Sequence, residues 1–395
     1  MKKQKIFVLH TECVYTRGGE KYIFEIFRRL SKKYLISMYL QDVSPEWKRQ
    51  YKQNGILVKK IWKPKRLYWL MIPITILVNY FRLRQIIKKN DVIYATNFPL
   101  NLLSILLSNK TICHCFEPLP IFYDSIRIAS LPKFSKMCVI VAKHLYAFFD
   151  KKAIQNCTIL TTLNPSLDKY IFSTYNRKPD IYIPNGVDTK FFTMKKFTNP
   201  SIKNGTCLTI GHSTDFTIFK GTEYFIKTIP LISNKIKNIK IYISESIHNP
   251  KIRKTYEQFL RMHNCFDHVE FLGNVTEKLM PKFYQSLDVF CFLGPPRCPA
   301  SSTASLSVLE AQSCGVPVMR SEGNNFEILN GKTGFFVNPD NLYQTAKTII
   351  SFLQLSEKKR KTIGKNAKKY VETNFSWDIS VKKLSDVINR LTAKL

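Results

Sequence analysis

From 301 to 318 the chain reads SSTASLSVLEAQSCGVPV. Small hydroxyl residues, Ser301, Ser302, Thr303 and Ser305, pass directly into an apolar helical pattern of Leu306, Val308, Leu309 and Ala311. The first turn of a helix leaves backbone N–H groups unpaired and carries partial positive charge, so a phosphate placed there gains both hydrogen bonds and favourable electrostatics. Glu310 follows inside the helix. A carboxylate near bound phosphate suits the vicinal hydroxyls of a sugar, because an ionised carboxylate only accepts hydrogen bonds. Cys314-Gly315 reads as the helix stop and 316–319 as a short buried strand. The same residues also suit an ordinary N-capped helix, and that reading stays open at this point.

Three other places carry chemistry. Lys220-Gly221 puts a cation beside a permissive backbone position. His114 lies in the stretch His114-Cys115-Phe116-Glu117-Pro118, where a histidine and a carboxylate meet at the mouth of a strand, although a satisfied core histidine fits too. Gly18 and Gly19 open a helix that runs to Leu30 and let a backbone approach a ligand closely. They are not the Gly-x-Gly-x-x-Gly of a dinucleotide site.

The elements that must position these residues alternate. Short buried strands are predicted at 6–9, 35–40, 91–95 and 111–115, with helices between them. A turn at 182–188 and a basic polar stretch to Gly205 read as the domain linker. A second series follows, with strands at 207–211, 239–243, 269–271 and 288–292 and helices at 250–263 and 279–286, plus one from Thr222. Alternation of this kind predicts parallel sheets covered on both faces, and such sheets bind ligands beyond the carboxyl ends of their strands. His114 falls at the end of the predicted strand 111–115, and the other candidate residues follow predicted strands.

The 395 residues, 45% of them hydrophobic, are long enough for two cores. Lysine and arginine number 61 against 28 acidic residues, a net charge of +33. Residues 1–200 carry 34 basic and 12 acidic side chains, so most of the excess lies in the first half. Such a field favours anionic partners, with a lysine- and isoleucine-rich genome bias as the competing explanation. The ten cysteines form no Cys-x-x-Cys pair, which disfavours a zinc site and, with no secretory signal, points to the cytoplasm. The longest apolar run, 67–81, falls short of a bilayer span. Lys59, Lys60, Lys63, Lys65 and Arg66 precede it, Arg82, Arg84, Lys88 and Lys89 follow it, and aromatic residues are interleaved. The stretch 59–89 is therefore expected either to lie on an anionic membrane surface or to be a buried helix of the first domain.

Taken in order, Gly18-Gly19-Glu20, His114, IPNGVDTKFF (183–192), Lys220-Gly221, VEFLGNV (269–275), SLSVLEAQSCGVPV (305–318), GKTGFFVNPDN (331–341) and FSWDISVKKL (375–384) resemble the large retaining glycosyltransferase family 4, the glycosyl transferases group 1 type. The resemblance spans nearly the whole chain. It implies an α/β chain of GT-B fold, with two Rossmann-like domains facing across a cleft. The acceptor-side domain would be 1–195, with the C-terminal helix 378–395 packed back on it, and the nucleotide-sugar domain 196–377. It implies metal-independent transfer of a hexose-type sugar from a UDP- or GDP-sugar, with no cofactor, to a lipid-linked or polysaccharide acceptor. The site would be at the cytoplasmic face of the membrane, where the protein would be peripheral.

By the same resemblance Lys220 neutralises the donor diphosphate, the amides of Ser305 and Leu306 bind it, and Glu310 holds the ribose. Gly18 and Gly19 lie under the phosphates, and His114 contacts the transferred sugar or assists the leaving group. Two departures stand out. Where the family has a glutamate followed by Gly-Phe-Gly, this chain has Ser302, Thr303, Ala304 and Ser305, whose hydroxyls would stand in for the donor-sugar contact. Where an arginine is common, the chain has His212, so His212 or Arg297 would partner Lys220. A catalytically silent GT-B partner subunit is the alternative these departures keep open. A basic nucleic-acid-binding protein is a further one that rests on charge alone, since no nucleic-acid motif is present; no nucleic acid is expected as a partner.

Overall fold

A computed structural model describes residues 3–15, 18–194, 207–295, 305–323 and 326–393. The chain forms two compact units, one of Met1–Pro184 with Trp377–Leu395 and one of Asn185–Ser376.

The first unit is built on seven strands: β1 (Lys5–Cys13), β2 (Leu35–Val43), β3 (Leu57–Lys60), β4 (Val92–Ala95), β5 (Lys110–Cys115), β6 (Ile159–Thr162) and β7 (Ile181–Tyr182). Their order is β3-β2-β1-β4-β5-β6-β7, and every pairing is parallel. Ile6, Phe7, Val8 and Leu9 of β1 are all buried, because helices cover both faces of a parallel sheet and a central strand has no solvent side. Helix Gly18–Leu30 covers one face through Tyr22, Ile23, Ile26, Phe27 and Leu30. Strands β3 and β6 do not emerge from the sequence pattern. β3 is a largely exposed edge strand ending in Lys59-Lys60, and β6 has only four residues.

The apolar run at 67–81 becomes helix Ile72–Leu83, whose buried side is Ile72, Thr75, Asn79 and Leu83. Asn79, a polar break in the run, is the clamp that seats it. Its carbonyl oxygen accepts the Trp62 amide at 2.9 Å, and its nitrogen donates to the Trp62 and Thr75 carbonyls at 2.9 and 2.8 Å. Helix Lys133–Asn156 follows helix Leu100–Leu107, and the latter packs against both it and helix Ile72–Leu83.

The second unit has six strands, again all parallel: β8 (Leu208–Thr214), β9 (Ile239–Glu245), β10 (Val269–Gly273), β11 (Val289–Phe292), β12 (Val318–Ser321) and β13 (Gly334–Val337), in the order β10-β9-β8-β11-β12-β13. Alternate residues of one strand feed different cores. Val289 and Cys291 join one with Ile210, Ile241 and Met319, while Phe290 and Phe292 join the other with Val308, Leu309 and Ala311 of helix Leu306–Ser313. That helix ends as expected at Cys314, with Gly315 at φ +77°.

The chain enters the second unit at Asn185, ahead of the polar stretch read as the linker. The Val187 amide already donates to the Phe375 carbonyl at 2.8 Å there. Residues 195–206 of that stretch lie outside the described residues. Helix Trp377–Thr392 belongs to the first unit, where Ser380 donates to the Pro184 carbonyl at 2.7 Å.

Candidate functional site

In the second unit the strand order reverses direction between β8 and β11, and the segments leaving those two strands carry the candidate residues. A crevice opens at the carboxyl ends of strands where such a reversal occurs. Beyond β8, a single 3-10 turn, Ile218–Lys220, ends at Gly221, whose φ is +69°. A Cβ there would lie 1.8 Å from the Leu293 carbonyl oxygen, so only glycine lets the turn press against the segment leaving β11. Lys220 is thereby held in place, with its ammonium 5.3 Å from the centre of the Phe292 ring.

A second cation, Arg320 on β12, lies over the same ring at 4.3 Å. Arg320 is fully buried and pairs with buried Glu327 at 3.6 Å. Burial pulls the Lys220 ammonium below the usual lysine range; Asp215 opposes this and Arg320 adds to it. Two positive groups sharing one aromatic surface favour a multiply charged anion, since each guanidinium or ammonium regains from it what burial removes.

Glu310 sits on helix Leu306–Ser313, buried, and accepts the Tyr284 hydroxyl at 3.0 Å. The Tyr284 phenol is pushed well above its ordinary range by burial and by that carboxylate, so it stays a donor. Glu310 is thus oriented from inside the core while contributing negative charge toward Lys220.

The start of the helix is arranged differently from the sequence reading. The Ser305 amide, expected to bind phosphate, donates to Glu327 Oε1 at 2.8 Å, and its hydroxyl bonds to the Ser307 hydroxyl at 2.9 Å. A carboxylate therefore takes the place at the helix terminus that the sequence reading assigns to a phosphate, which is electrostatically equivalent. Leu306 opens the helix beside it. Ser302, Thr303 and Arg297 lie outside the described residues.

His212 is fully buried in β8 and stacked on Phe225 at 4.9 Å. Its Nδ1 is 2.9 Å from the Cys291 carbonyl and its Nε2 2.9 Å from the Thr222 hydroxyl. A carbonyl only accepts, so Nδ1 carries the proton and Nε2 accepts from Thr222. Burial lowers its pKa to about 4, which keeps the ring neutral. With both nitrogens engaged it ties β8 to β11 and to helix Thr222–Ser233, and it has no donor left for a diphosphate.

The first unit holds a separate cluster. His114 on β5 is fully buried, with Nδ1 2.9 Å from the Thr161 hydroxyl and Nε2 without a hydrogen-bond partner among the described residues. Tyr22 stacks on it at 4.9 Å and Phe116 meets it edge-on at 4.5 Å. Burial and then the nearby His10 lower its pKa to about 3. His10 on β1 bonds Thr96 beyond β4 at 2.8 Å, spanning the strands where this sheet reverses order. A neutral imidazole of this kind can exchange hydrogen bonds with a hydroxyl but does not serve as a proton donor near pH 7. Gly18 and Gly19 begin the helix after β1, and a Cβ at Gly19 would meet no described atom within 4 Å.

Arg320, Glu327 and Tyr284 escape the sequence reading. A signal existed for one of them: an arginine closing the apolar run Val316-Pro317-Val318-Met319 stands at the carboxyl end of a strand, where ligands bind.

Comparison with known proteins bears on the domain and the fold. Residues 195–370 match the family model described as Glycosyl transferases group 1. The GDP-mannose-dependent monoacylated alpha-(1-6)-phosphatidylinositol monomannoside mannosyltransferase of Corynebacterium glutamicum is 24% identical over a stretch covering 58% of this chain and 61% of that protein. The chain spans under two thirds of the length of the curated relatives it matches. Among solved structures, a glycosyltransferase from Rickettsia africae aligns over 100% of both chains with a TM-score of 0.78 at 15% identity. Anabaena Alr3699/HepE in complex with UDP aligns over 97% of this chain and 99% of that one, with a TM-score of 0.74 at 14% identity. The fold is GT-B, with two parallel-sheet Rossmann-like domains.

Proposed function

We propose that this chain, which carries a glycosyl transferases group 1 domain on a GT-B fold, is a glycosyltransferase that moves a hexose-type sugar from a UDP- or GDP-sugar to a lipid-linked or glycan acceptor at the cytoplasmic face of a membrane. The observation that carries the reading is the pairing of Lys220 and Arg320 over Phe292, with Glu310 held by Tyr284 on the adjoining helix. In the proposed site the two cations take the donor diphosphate and Glu310 accepts from the ribose hydroxyls. As the bond from sugar to phosphate breaks, negative charge grows on the departing diphosphate. Fixed cations aimed there stabilise the transition state more than the ground state.

The proposed chemistry draws that positive charge from side chains, without a metal ion, and retains the anomeric configuration. His114 of the first unit, a neutral and buried imidazole, is proposed on the family resemblance alone to contact the transferred sugar. The mannosyltransferase relative, named for a GDP-mannose donor and a phosphatidylinositol-linked acceptor, supports the donor class and a lipid-linked acceptor for this chain.

The test is a panel of UDP- and GDP-sugars screened by thermal shift, since a ligand that binds only the native state raises apparent stability by about 2.7 kcal/mol at 100 times its Kd. One donor is expected to stabilise the wild type and to leave Lys220→Ala and Glu310→Ala unshifted. Tight donor binding indifferent to both substitutions would overturn the site. The anomer of the product, read by NMR, tests retention, and turnover in the presence of EDTA tests metal independence.

A further inference from the structure

Helix Lys133–Asn156 is buried along a single spine of Val139, Ala142, Tyr146, Asp150 and Ala153. Opposite that spine Phe134, Met137, Val141, Leu145 and Phe148 are exposed, Phe134 to 74% and Phe148 to 62%. At 3.6 residues per turn these five fall within an arc of about 80°. Lys133 and Lys151 lie about 40° beyond one edge of that arc, and Lys152 falls within it near the end of the helix.

Helix Ile72–Leu83 runs beside it. The Tyr146 hydroxyl donates to the Leu70 carbonyl at 3.5 Å, and Ile72, Ala142 and Tyr146 share one core cluster. Its own outer side presents Ile74, Leu77 and Phe81, three exposed residues at helical spacing, and Leu70 in the turn before it is exposed as well. Arg84 lies over the Tyr80 and Phe81 rings. Two neighbouring helices thus each expose an apolar stripe, with Lys133 and Lys151 near one and Arg84 near the other. Exposed apolar surface on this scale marks an interaction site rather than ordinary scatter.

Charge selects the occupant. No acidic residue lies between Glu46 and Asp91 or between Asp124 and Asp150, and both Asp124 and Asp150 are buried. A second copy of the chain would bring lysine flank against lysine flank, with +33 on each molecule. An anionic bilayer offers the complement to both features, hydrocarbon at the level of the stripes and phosphate at the level of the lysines.

We propose that these two helices form one docking surface for anionic lipid, with helix Lys133–Asn156 as the principal anchor and helix Ile72–Leu83 as a second rail. This deepens the reading of a membrane-side acceptor, and it is tested without donor or acceptor, so its failure is distinct from failure of the transfer chemistry.

The experiment is co-sedimentation of the full chain with vesicles of phosphatidylcholine alone or mixed with phosphatidylglycerol, at low and high salt. Wild type is expected to bind the mixed vesicles at least about tenfold more tightly than the neutral ones, with residual binding at high salt from the apolar stripes. Phe134→Ser/Val141→Ser/Phe148→Ser removes the residual binding. Lys133→Glu/Lys151→Glu/Lys152→Glu removes the preference for anionic lipid. All six side chains are exposed, and circular dichroism checks that each variant keeps its fold. A fluorophore on exposed Cys138, on the same outer side, is expected to shift to the blue on binding. Wild type that ignores anionic vesicles overturns the proposal, as do variants that bind like wild type. A wild-type dimer that the serine variant converts to monomer with lipid binding unchanged would reassign the surface to self-association.

Discussion

Arg320 is the residue whose role separates most cleanly from its neighbours. It shares the Phe292 ring with Lys220 but is buried against Glu327, which in turn holds the Ser305 amide. If it faces the diphosphate, Arg320→Met lowers affinity for UDP or GDP by about ten- to a hundredfold and leaves the monophosphate nearly unchanged, because the second phosphate carries the extra charge-assisted bonds. Titration calorimetry with both nucleotides measures that ratio. A loss equal for both would mean that Arg320 only props up Glu327, and Arg320→Lys, which keeps the charge, separates the cases. The buried histidines make a second prediction. His10 and His212 are lowered to about 4 and His114 to about 3, so all three are neutral in the folded chain and take up protons more readily once unfolded. Their contribution to stability is whole above about pH 6.5 and is lost as pH falls toward 4, by about 1.4 kcal/mol per pH unit for each histidine. Urea midpoints taken from pH 7 to 4 are expected to fall along that slope; a flat profile would contradict the burial of these rings.

Among elements, the turn Ile218–Lys220 has the tightest constraint. Gly221 has φ +69° and its missing Cβ faces the Leu293 backbone, so Gly221→Ala meets both a left-handed backbone and a main-chain clash. A cost above about 2 kcal/mol is expected, read as a drop in the urea midpoint, together with weaker nucleotide binding as Lys220 is displaced. Helix Ile72–Leu83 offers the converse test. Asn79→Ala breaks three buried hydrogen bonds to Trp62 and Thr75 and is expected to cost about 2–4 kcal/mol, while Leu77→Ser on the outer side changes stability by under about 0.5 kcal/mol. The contrast is legible only with the structure. In the sequence Asn79 looks like a flaw in an apolar run, and Leu77 looks like its substance.

For the molecule as a whole, +33 over 395 residues sets a self-repulsion that salt relieves, so the melting temperature is expected to rise with sodium chloride until screening is complete, as scanning calorimetry would record. A fall would mean that ion pairs outweigh the net charge. Much of the architecture is written locally. Short continuous apolar runs such as Ile6–Leu9 read by their length as buried strands, and their alternation with helices yields two covered sheets, because hydrophobic period and length are properties of short segments. The same rule puts Lys220 and Glu310 beyond strand ends, where the structure has them. Partners are another matter. That Glu327 takes the Ser305 amide, that His212 spends both nitrogens on Cys291 and Thr222, and that Arg320 joins Lys220 over Phe292 all depend on residues far apart in sequence meeting at one sheet edge. No local pattern encodes such meetings. The proposed docking face follows the same logic, since helix Lys133–Asn156 is apolar on two sides, and only packing decides which of them is left exposed.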